Sequence, residues 1–294
     1  MSQKKPFVPV VAVLNMKGGV GKTTMSAHVF RVLYQSKRVS TLLIDLDPQF
    51  NLTQALFKRS AYDDIKSQGR TISAVMEPPS NVGLFTVKKS SIPPADVDSL
   101  KHDFYHLSKN DPKPLSIIAG DIALVKYSLM DDNKQLLAVR ERFLNFINAS
   151  KDKFELICID CNPSSSFITL CALHACTHVL VPVRPDKYSV LGLEMLTEFV
   201  AGVPSINPKP QFIVALNGIP RSGGGEDVAS IEAELRAHPD FGKKVLARVI
   251  HETSLLKAKT DYTGFATDRR APWSSLLRQE VTAFANELGN RLGV

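Results

Sequence analysis

A glycine-rich segment near the start of the chain constrains its fold more strongly than any other feature. Residues 17–24, KGGVGKTT, follow the apolar run 10–14 and precede the helix-like run 25–35. Glycines allow successive backbone N–H groups to point at one anion, and the helix that follows adds the positive end of its dipole. This order predicts a phosphate-binding loop. The loop departs from the usual pattern, which opens with glycine, because Met16 stands at that position and a second lysine, Lys17, follows it.

Short apolar runs rich in β-branched residues recur along the chain and alternate with helical patterns. The runs span residues 10–14, 41–44, 115–119, 156–159, 179–183, 212–216 and 245–250. The helical patterns span residues 25–35, 134–149, 165–175, 190–200, 231–238 and 274–292. Apolar strands without polar alternation are typical of parallel sheets covered by helices on both faces. The sequence therefore predicts an α/β fold, a doubly wound and mostly parallel sheet flanked by helices on both faces.

Length and composition favour one domain over residues 1–294. This length is enough for a full core, and a hydrophobic content of 44% is ordinary for a globular protein. A proline-rich stretch at about residues 77–114 interrupts the alternation of strands and helices. It is interpreted as an insertion, either a passive surface excursion or a partner-binding loop. No apolar run approaches the roughly 20 residues that cross a bilayer. We therefore expect a cytoplasmic protein without stable membrane insertion.

The four cysteines are interpreted as small core residues. Cys158 lies within an apolar strand-like run, and Cys171 and Cys176 lie in an apolar helical run. The spacing of Cys158 and Cys161 is that of a metal or redox pair, but no second such pair follows. A buried structural role is therefore favoured over a metal site.

Aspartates follow two of the predicted strands. The run 41–44 leads into Asp45 and Asp47, and the run 156–159 leads into Asp160. Open parallel sheets bind ligands at the carboxyl ends of their strands, and an aspartate there, downstream of a phosphate loop, commonly holds Mg²⁺ directly or through water. Each aspartate alone is also compatible with a helix cap or a turn. The combination with the glycine-rich loop predicts nucleotide binding, with Lys22 on the β- and γ-phosphates and Thr23 on Mg²⁺.

These motifs together resemble the ParA/MinD-type ATPases, whose phosphate loop deviates from the usual pattern. Residues 17–24 are similar to the signature of that family, and residues 45–53, DLDPQFNLT, to the motif after its second strand. Residues 178–193 resemble a later segment beside the family's switch, and residues 115–121 and 248–259 match more loosely. The resemblance spans nearly the whole chain and implies a P-loop NTPase fold of the SIMIBI type. It is closer to the DNA-partitioning branch, which is ParA/Soj-like, because the second motif reads DxDPQxN.

The resemblance implies roles for individual residues. Lys17 would reach across a dimer interface to the partner's phosphates, as an arginine finger does, and Asp47 would orient or activate the attacking water. The expected metal set is Thr23, Asp45 and Asp160. The expected nucleotide-binding residues are Gly18, Gly19, Val20, Gly21, Lys22, Thr23, Thr24, Asn217 and Arg221, with Asn217 as the candidate adenine reader. A solvated Lys17 without a role in the partner is the alternative, and the lack of an arginine in residues 17–24 and 45–51 disfavours it.

The resemblance also implies a biological activity. We expect an ATPase that uses ATP and Mg²⁺, forms a homodimer with ATP, binds duplex DNA without sequence preference and responds to a ParB-like adaptor. Such a protein would associate with the nucleoid and drive plasmid or chromosome segregation or position another cargo. The net charge of +7 suits a polyanionic partner, although a mildly basic enzyme has the same charge. Candidate DNA contacts are Lys257, Lys259, Arg269, Arg270 and Arg278.

Two alternatives remain at this point. One is a membrane-cycling positioning ATPase similar to MinD, which the few cations of the segment 274–292 disfavour. The other is a metabolic ATPase on the same fold, such as an iron–sulfur reductase, which the core-like cysteines disfavour.

Overall fold

One eight-stranded sheet organises the molecule. The computed structural model describes residues 6–78, 87, 93–130, 133–164, 166–186, 188–221, 225–257 and 264–294. The strand order is β3-β4-β2-β5-β1-β6-β7-β8, and all neighbours run parallel except β3 and β4. The strands are β1 (Val10–Val13), β2 (Thr41–Asp45), β3 (His102–Ser108), β4 (Asp111–Ile118), β5 (Leu156–Asp160), β6 (His178–Val183), β7 (Gln211–Ile219) and β8 (Ile250–His251). The expected α/β fold with a mostly parallel sheet is confirmed.

Helices cover both faces of this sheet. They are α1 (Lys22–Thr24), α2 (Phe30–Lys37), α3 (Asn51–Leu56), α4 (Arg59–Ser67), α5 (Ile72–Met76), α6 (Val97–Leu100), α7 (Asn133–Ser150), α8 (Phe167–Ala175), α9 (Ser189–Gly202), α10 (Gly225–Ala237) and α11 (Ser274–Leu292). A π-helical segment, Met25–Val29, joins α1 to α2. One core packs α2, α3, α4 and α11 against the sheet, and a second core packs α5 and α7–α10 against the other face. Among the described residues, no helix is both long and apolar enough to span a bilayer.

The central strands are buried along their whole length. Every residue of β1, β2, β5 and β6 is shielded from solvent. Successive side chains of a strand point to opposite faces, so Val10 and Ala12 enter one core while Val11 and Val13 enter the other. This is why the sequence shows continuous apolar runs rather than alternation. The register pairs Asp45 of β2 with Asp160 of β5, which brings the two carboxylates to one edge of the sheet.

Two segments differ from the sequence-based expectation. The run 245–250 was expected to be a strand, but β8 contains only Ile250 and His251, after the 3₁₀ turn Gly242–Lys244. Of the stretch 77–114, residues 79–86 and 88–92 lie outside the described residues. Residues 93–114 contain α6, β3 and the start of β4, so this part extends the sheet edge as an antiparallel hairpin.

Candidate functional site

The phosphate loop connects β1 to α1 and has a backbone that glycine permits. Gly19 and Gly21 have backbone φ values of +74° and +94°, which residues with a β-carbon rarely adopt. A β-carbon added to Gly21 would lie 2.2 Å from Nδ2 of Asn217. Asn217 Nδ2 donates to the backbone oxygen of Val20 at 2.8 Å and thereby fixes the far side of the loop.

Lys22 lies inside this loop rather than in solvent. Its Nζ donates to the backbone oxygens of Lys17 at 2.9 Å and Asn15 at 3.2 Å. Burial lowers the pKa of Lys22, although the nearby carboxylates of Asp160 and Asp47 oppose the shift. The ammonium group is therefore held at the centre of the loop, where a phosphate group would replace the backbone oxygens as its partner.

Asp160 contacts the first residues after the loop. Its two carboxylate oxygens accept hydrogen bonds from Thr23 Oγ1 at 2.9 Å and Ser26 Oγ at 2.8 Å. Burial raises the pKa of Asp160, while these two hydroxyl donors and Lys22 act in the opposite direction. A buried carboxylate beside a threonine hydroxyl is an oxygen-rich set of the kind that Mg²⁺ prefers.

Asp45 has a different environment from Asp160. Its Oδ2 accepts from the backbone N–H and the hydroxyl of Thr53, at 2.8 and 2.7 Å, and its Oδ1 accepts from the N–H of Asp47 at 3.3 Å. Thr53 Oγ1 in turn accepts from the N–H of Gly120 at 2.7 Å. Burial and the charge of Asp160 raise the pKa of Asp45. Asp45 thus ties the ends of β2 and β4 to α3, and both its oxygens already have partners.

Asp47 begins a tight turn that faces the loop. Its Oδ1 accepts from the N–H of Gln49 at 2.9 Å, and its backbone oxygen accepts from the N–H of Phe50 at 2.8 Å. Phe50 has φ of +42°, and its ring stacks on Tyr62 with centroids 5.2 Å apart. Burial raises the pKa of Asp47, although the Gln49 N–H and Lys22 oppose the shift. The turn therefore holds the Asp47 carboxylate near Lys22. Its backbone at Phe50 is in a strained conformation, and the stacked Phe50 ring helps to hold it there.

A cavity of about 780 Å³ lies against the loop. Its lining includes Gly18, Gly19, Gly21, Lys22, Thr23 and Thr24 of the loop and, from other segments, Asp47, Gln49, Phe50, Asn51, Gln54 and Tyr62. Loop glycines, Lys22, Thr23 and Asp47 are therefore brought together around one cavity. Asp160 is adjacent through Thr23. No group of three or more His, Cys, Asp or Glu that could hold a metal is present in the part of the chain that the structure describes.

Asn217 and Arg221 do not line this cavity. Asn217 supports the loop from behind, and Arg221 forms an ion pair with Glu280 at 2.6 Å. Their assignment to nucleotide binding stays a prediction. The four cysteines are all free and buried, which agrees with the core interpretation.

Lys17 forms an ion pair that sequence reasoning missed. Its Nζ donates to Asp186, which lies 169 residues away and three residues after the end of β6. Asp186 also accepts from the N–H of Tyr188 and the hydroxyl of Ser189. Burial alone would raise the pKa of Asp186, but these donors and Lys17 hold it below its usual range. The only sequence signal was the position of Asp186 after an apolar strand, like Asp45 and Asp160.

The candidate DNA-contacting residues lie around the start of α11. Arg278 Nη1 donates to the backbone oxygen of Arg269 at 3.1 Å, and Arg269 Nη1 donates to that of Leu255 at 3.2 Å. Lys257 lies 3.6 Å from Glu252, and Arg270 is exposed. The hydrogen bonds hold Arg269 and Arg278 together, while Lys259 lies outside the described residues.

The fold and the loop define the class of protein, a P-loop nucleotide-binding protein with an α/β sheet. Residues 8–211 match the AAA_31 family, an AAA domain. A ParA family protein of Chlamydia trachomatis is 30% identical over 202 residues, which is 67% of each chain. Soj of Bacillus subtilis, a sporulation initiation inhibitor protein, is 29% identical over 65% of this chain and 64% of its own length. The chain belongs to the ParA family of P-loop ATPases.

One relative is matched over a smaller share. A putative replication protein A of Sinorhizobium fredii is 27% identical over 66% of this chain, and the match spans 44% of that protein's length. The chain therefore corresponds to less than half of that relative's length.

Solved structures have the same fold. The structure of pNOB8 ParA superposes with a TM-score of 0.69 at 17% identity, over 98% of this chain and 99% of that one. A structure of pNOB8 ParA bound to nonspecific DNA gives 0.66 at 18% identity, over the same shares. A plasmid partition protein of Borrelia burgdorferi B31 bound to AMPPNP gives 0.64 at 18% identity, over 97% of this chain and all of that one.

Proposed function

We propose that this protein is an ATP-dependent dimerisation switch that binds duplex DNA without sequence preference and drives DNA segregation or cargo positioning. One observation carries the proposal: a phosphate loop with a second lysine, Lys17, lies beside three strand-end aspartates in a ParA family chain. Slow hydrolysis of ATP to ADP and phosphate, stimulated by a ParB-like partner, would reset the switch. The protein would act in the cytoplasm on the nucleoid, as a single domain over residues 1–294.

The residues around the cavity suit ATP and Mg²⁺. The backbone N–H groups of residues 18–24 would bind the phosphates, and Lys22 would exchange its backbone partners for the β- and γ-phosphates. Thr23 would bind the metal, and Asp160 would orient the Thr23 hydroxyl through the 2.9 Å hydrogen bond. Bound Mg²⁺ would supply positive charge to the phosphate oxygens. Asp45 would act indirectly, because its hydrogen bonds to Thr53 and Asp47 position the turn.

Asp47 is the proposed residue for positioning the attacking water. It lines the same cavity as the loop, and the turn at Phe50 fixes its backbone. Burial raises the pKa of this carboxylate above its ordinary value, although the Gln49 N–H and Lys22 oppose the shift. A raised pKa brings a carboxylate closer to the working pH of a general base.

Lys17 is the proposed residue that links nucleotide binding to dimerisation. Its side chain is 44% exposed, and its Nζ at the tip donates to Asp186. An exposed ion pair contributes little stability, at most about 1 kcal/mol, so Lys17 can leave it for a triphosphate in a second subunit. Two loops that face each other would then each give one lysine to the other's nucleotide, in a symmetric dimer.

A salt-titrated DNA-binding assay with and without ATP and Mg²⁺ tests the proposal. Duplex DNA should bind with ATP, and the affinity should fall steeply as salt increases, because lysines and arginines displace counterions from the phosphates. Equal affinity for DNA without nucleotide would show that only the charges drive binding. That result would contradict the proposal that ATP switches DNA binding on. Sedimentation with anionic vesicles, in the presence of ATP and without DNA, would support the MinD-like alternative instead.

A further inference from the structure

The tryptophan of this chain is unusually exposed. Trp273 is the single tryptophan in the sequence, and 77% of it is accessible to solvent, more than any other large hydrophobic side chain that the structure describes. Tryptophan side chains usually bury a large area, and a solvent-facing indole forgoes that stabilisation. Tryptophan is enriched at interfaces, where its ring is covered by a partner, so an exposed indole at a fixed position is a candidate contact residue.

The backbone holds Trp273 in a defined and costly conformation. Its φ is +66° and its ψ is 2°, in the left-handed region, which costs roughly 1–2 kcal/mol for a residue with a β-carbon. Its carbonyl oxygen accepts the N–H of Leu277 at 3.1 Å, and Ala271 accepts the N–H of Ser274 at 3.1 Å. The indole therefore projects from a tight turn at the start of the 19-residue helix α11, rather than from a loose loop.

Cations surround this turn. Arg270 precedes Trp273 by three residues, Arg278 follows it by five, and hydrogen bonds join Arg278 to Arg269 and Arg269 to the segment before Lys257. We call Lys257, Arg269, Arg270, Trp273 and Arg278 the basic patch. The positive end of the α11 dipole adds to its potential.

Three acidic residues near the basic patch, among those that the structure describes, already have cationic partners. Asp268 pairs with Arg31 at 3.2 Å, and Glu280 pairs with Arg221 at 2.6 Å. Glu252 lies between Lys257 and Arg184, at 3.6 and 3.7 Å. Arg270 has no carboxylate partner within the ranges that the structure describes. The patch therefore keeps a net positive charge around one apolar ring.

We propose that Trp273 is a direct contact to DNA, an apolar ring that packs against the sugars or base edges of a duplex while the surrounding arginines bind its phosphates. This inference rests on the DNA binding proposed above and names a specific residue for it. Apolar side chains among cations are a recurring way to contact nucleic acid, either in the minor groove or by stacking. The ring would add affinity without adding charge.

Charge and packing favour DNA over two other partners. A second copy of the patch would bring like charges together. A membrane surface needs an apolar helix face, but Leu277, Val281, Phe284 and Leu288 of α11 are buried in the core. Among the large hydrophobic side chains that the structure describes at this end of the helix, Trp273 and Leu276 are exposed, and Leu276 is 39% exposed.

The intrinsic fluorescence of the protein tests this directly, because all indole emission comes from Trp273. Wild-type protein with ATP and Mg²⁺ is titrated with a mixed-sequence duplex, and the emission should change in proportion to the bound fraction. Trp273→Ala should bind the duplex about 10-fold more weakly, whereas Trp273→Phe should keep most of the affinity. Trp273→Asn serves as a second variant, since asparagine tolerates the left-handed backbone.

The salt dependence separates the ring from the charges. Trp273→Ala should leave the slope of log affinity against log salt unchanged, whereas Arg270→Ala should reduce its magnitude by about 0.9. Phe7→Ala is the matched control, because Phe7 is 67% exposed but lies outside the patch. This variant should bind DNA with the same affinity as the wild type.

Three results would overturn the inference. Indole emission that stays constant while DNA binding saturates would show that Trp273 is not in contact. A spectral shift with phosphatidylglycerol vesicles and none with DNA would assign the residue to a membrane. A shift on adding ATP alone, together with a doubled mass, would place it between two copies. Wild-type protein that binds no DNA would remove both this inference and the proposed function. DNA binding without any change in Trp273 emission would remove this inference alone.

Discussion

The phosphate-binding edge of the sheet and the basic patch at the start of α11 are built in opposite ways. At the sheet edge, Lys22, Asp45, Asp47 and Asp160 are buried, and each is fixed by hydrogen bonds or by a close opposite charge. In the patch, Arg270 and Trp273 are exposed, and Arg269 and Arg278 each donate a hydrogen bond to a backbone oxygen rather than to a buried carboxylate. Buried polar groups need exact partners, whereas exposed cations act through their number. A substitution should therefore have a large, local effect at the edge, whereas replacing a single cation in the patch should have a small, additive effect.

The largest expected difference is between two lysines. Lys22→Ala removes a buried ammonium group that would bind two phosphates, so ATP affinity should fall at least about 30-fold. Lys257→Ala removes one exposed charge and should leave ATP affinity unchanged while weakening DNA binding about 2- to 5-fold. Titration with a fluorescent ATP analogue measures the first effect. A Lys22→Ala protein that binds ATP with wild-type affinity would contradict the idea that buried groups at the sheet edge have larger effects than exposed cations in the patch.

The close packing at the sheet edge predicts a second difference, between two glycines. A β-carbon on Gly120 would lie 2.6 Å from Cβ of Phe50 and 2.9 Å from the Asp45 carboxylate, so Gly120→Ala should lower the free energy of unfolding by about 1–3 kcal/mol. Gly202→Ala meets nothing within 4 Å and is the matched control. Urea unfolding measures both, and equal stability of the two variants would mean that the edge is loosely packed.

The buried carboxyls predict a dependence of stability on pH. Burial raises the pKa values of Asp45 and Asp160 above the ordinary 3.8 toward neutrality, so the folded chain binds more protons there than the unfolded chain. The free energy of unfolding without nucleotide should therefore decrease as pH rises from about 6.5 to about 8.5, by at most about 1.4 kcal/mol per pH unit for each carboxyl.

The same experiment needs a control for histidine. Burial lowers the pKa of His28 to about 3, well below its ordinary value of 6.5. Between these two pH values the unfolded chain binds a proton that the folded chain does not, so His28 makes the free energy of unfolding rise with pH, opposite to Asp45 and Asp160. Measurement above about pH 6.5 avoids most of this effect, and Asp160→Asn should flatten the remaining slope. Stability that rises with pH in wild type would contradict the burial of these carboxyls as ionisable groups.

The smallest expected effect concerns the ion pair between Lys17 and Asp186. Asp186→Asn keeps an oxygen for the N–H of Tyr188 but removes the charge that holds Lys17 within its own subunit. Because the pair is exposed, its loss should lower the ATP concentration needed for dimerisation by no more than about 5-fold. Light scattering against ATP concentration measures the midpoint. A midpoint that moves upward would mean that Asp186 supports the dimer rather than competing with it.

Contiguous motifs and long periodic runs were predictable from the sequence. The continuous apolar runs 156–159 and 179–183 became β5 and β6, and the pattern 274–292 matches the bounds of α11. Glycine and lysine spacing located the phosphate loop, because backbone conformation and charge there are local properties of the chain.

Features that depend on distant partners were not predictable. The pair of Lys17 and Asp186 spans 169 residues, and the contact of Asp45 with Thr53 and Gly120 needs three elements to be in place. Strand β3 was missed because its residues, HDFYHLS, are mostly polar and gain their structure from pairing with β4. The expected strand 245–250 shortened because it pairs with β7 at the sheet edge over only two residues.

The mass of the protein in solution with ATP tests the central claim, that Lys17 acts in the partner subunit. Multi-angle light scattering of wild type with Mg²⁺ and excess ATP should give twice the mass of the 32.3 kDa chain, and a single-chain mass without nucleotide. Lys17→Ala should keep measurable ATP affinity and remain at the single-chain mass. A Lys17→Ala protein that reaches the doubled mass at the same ATP concentration as wild type would contradict the account.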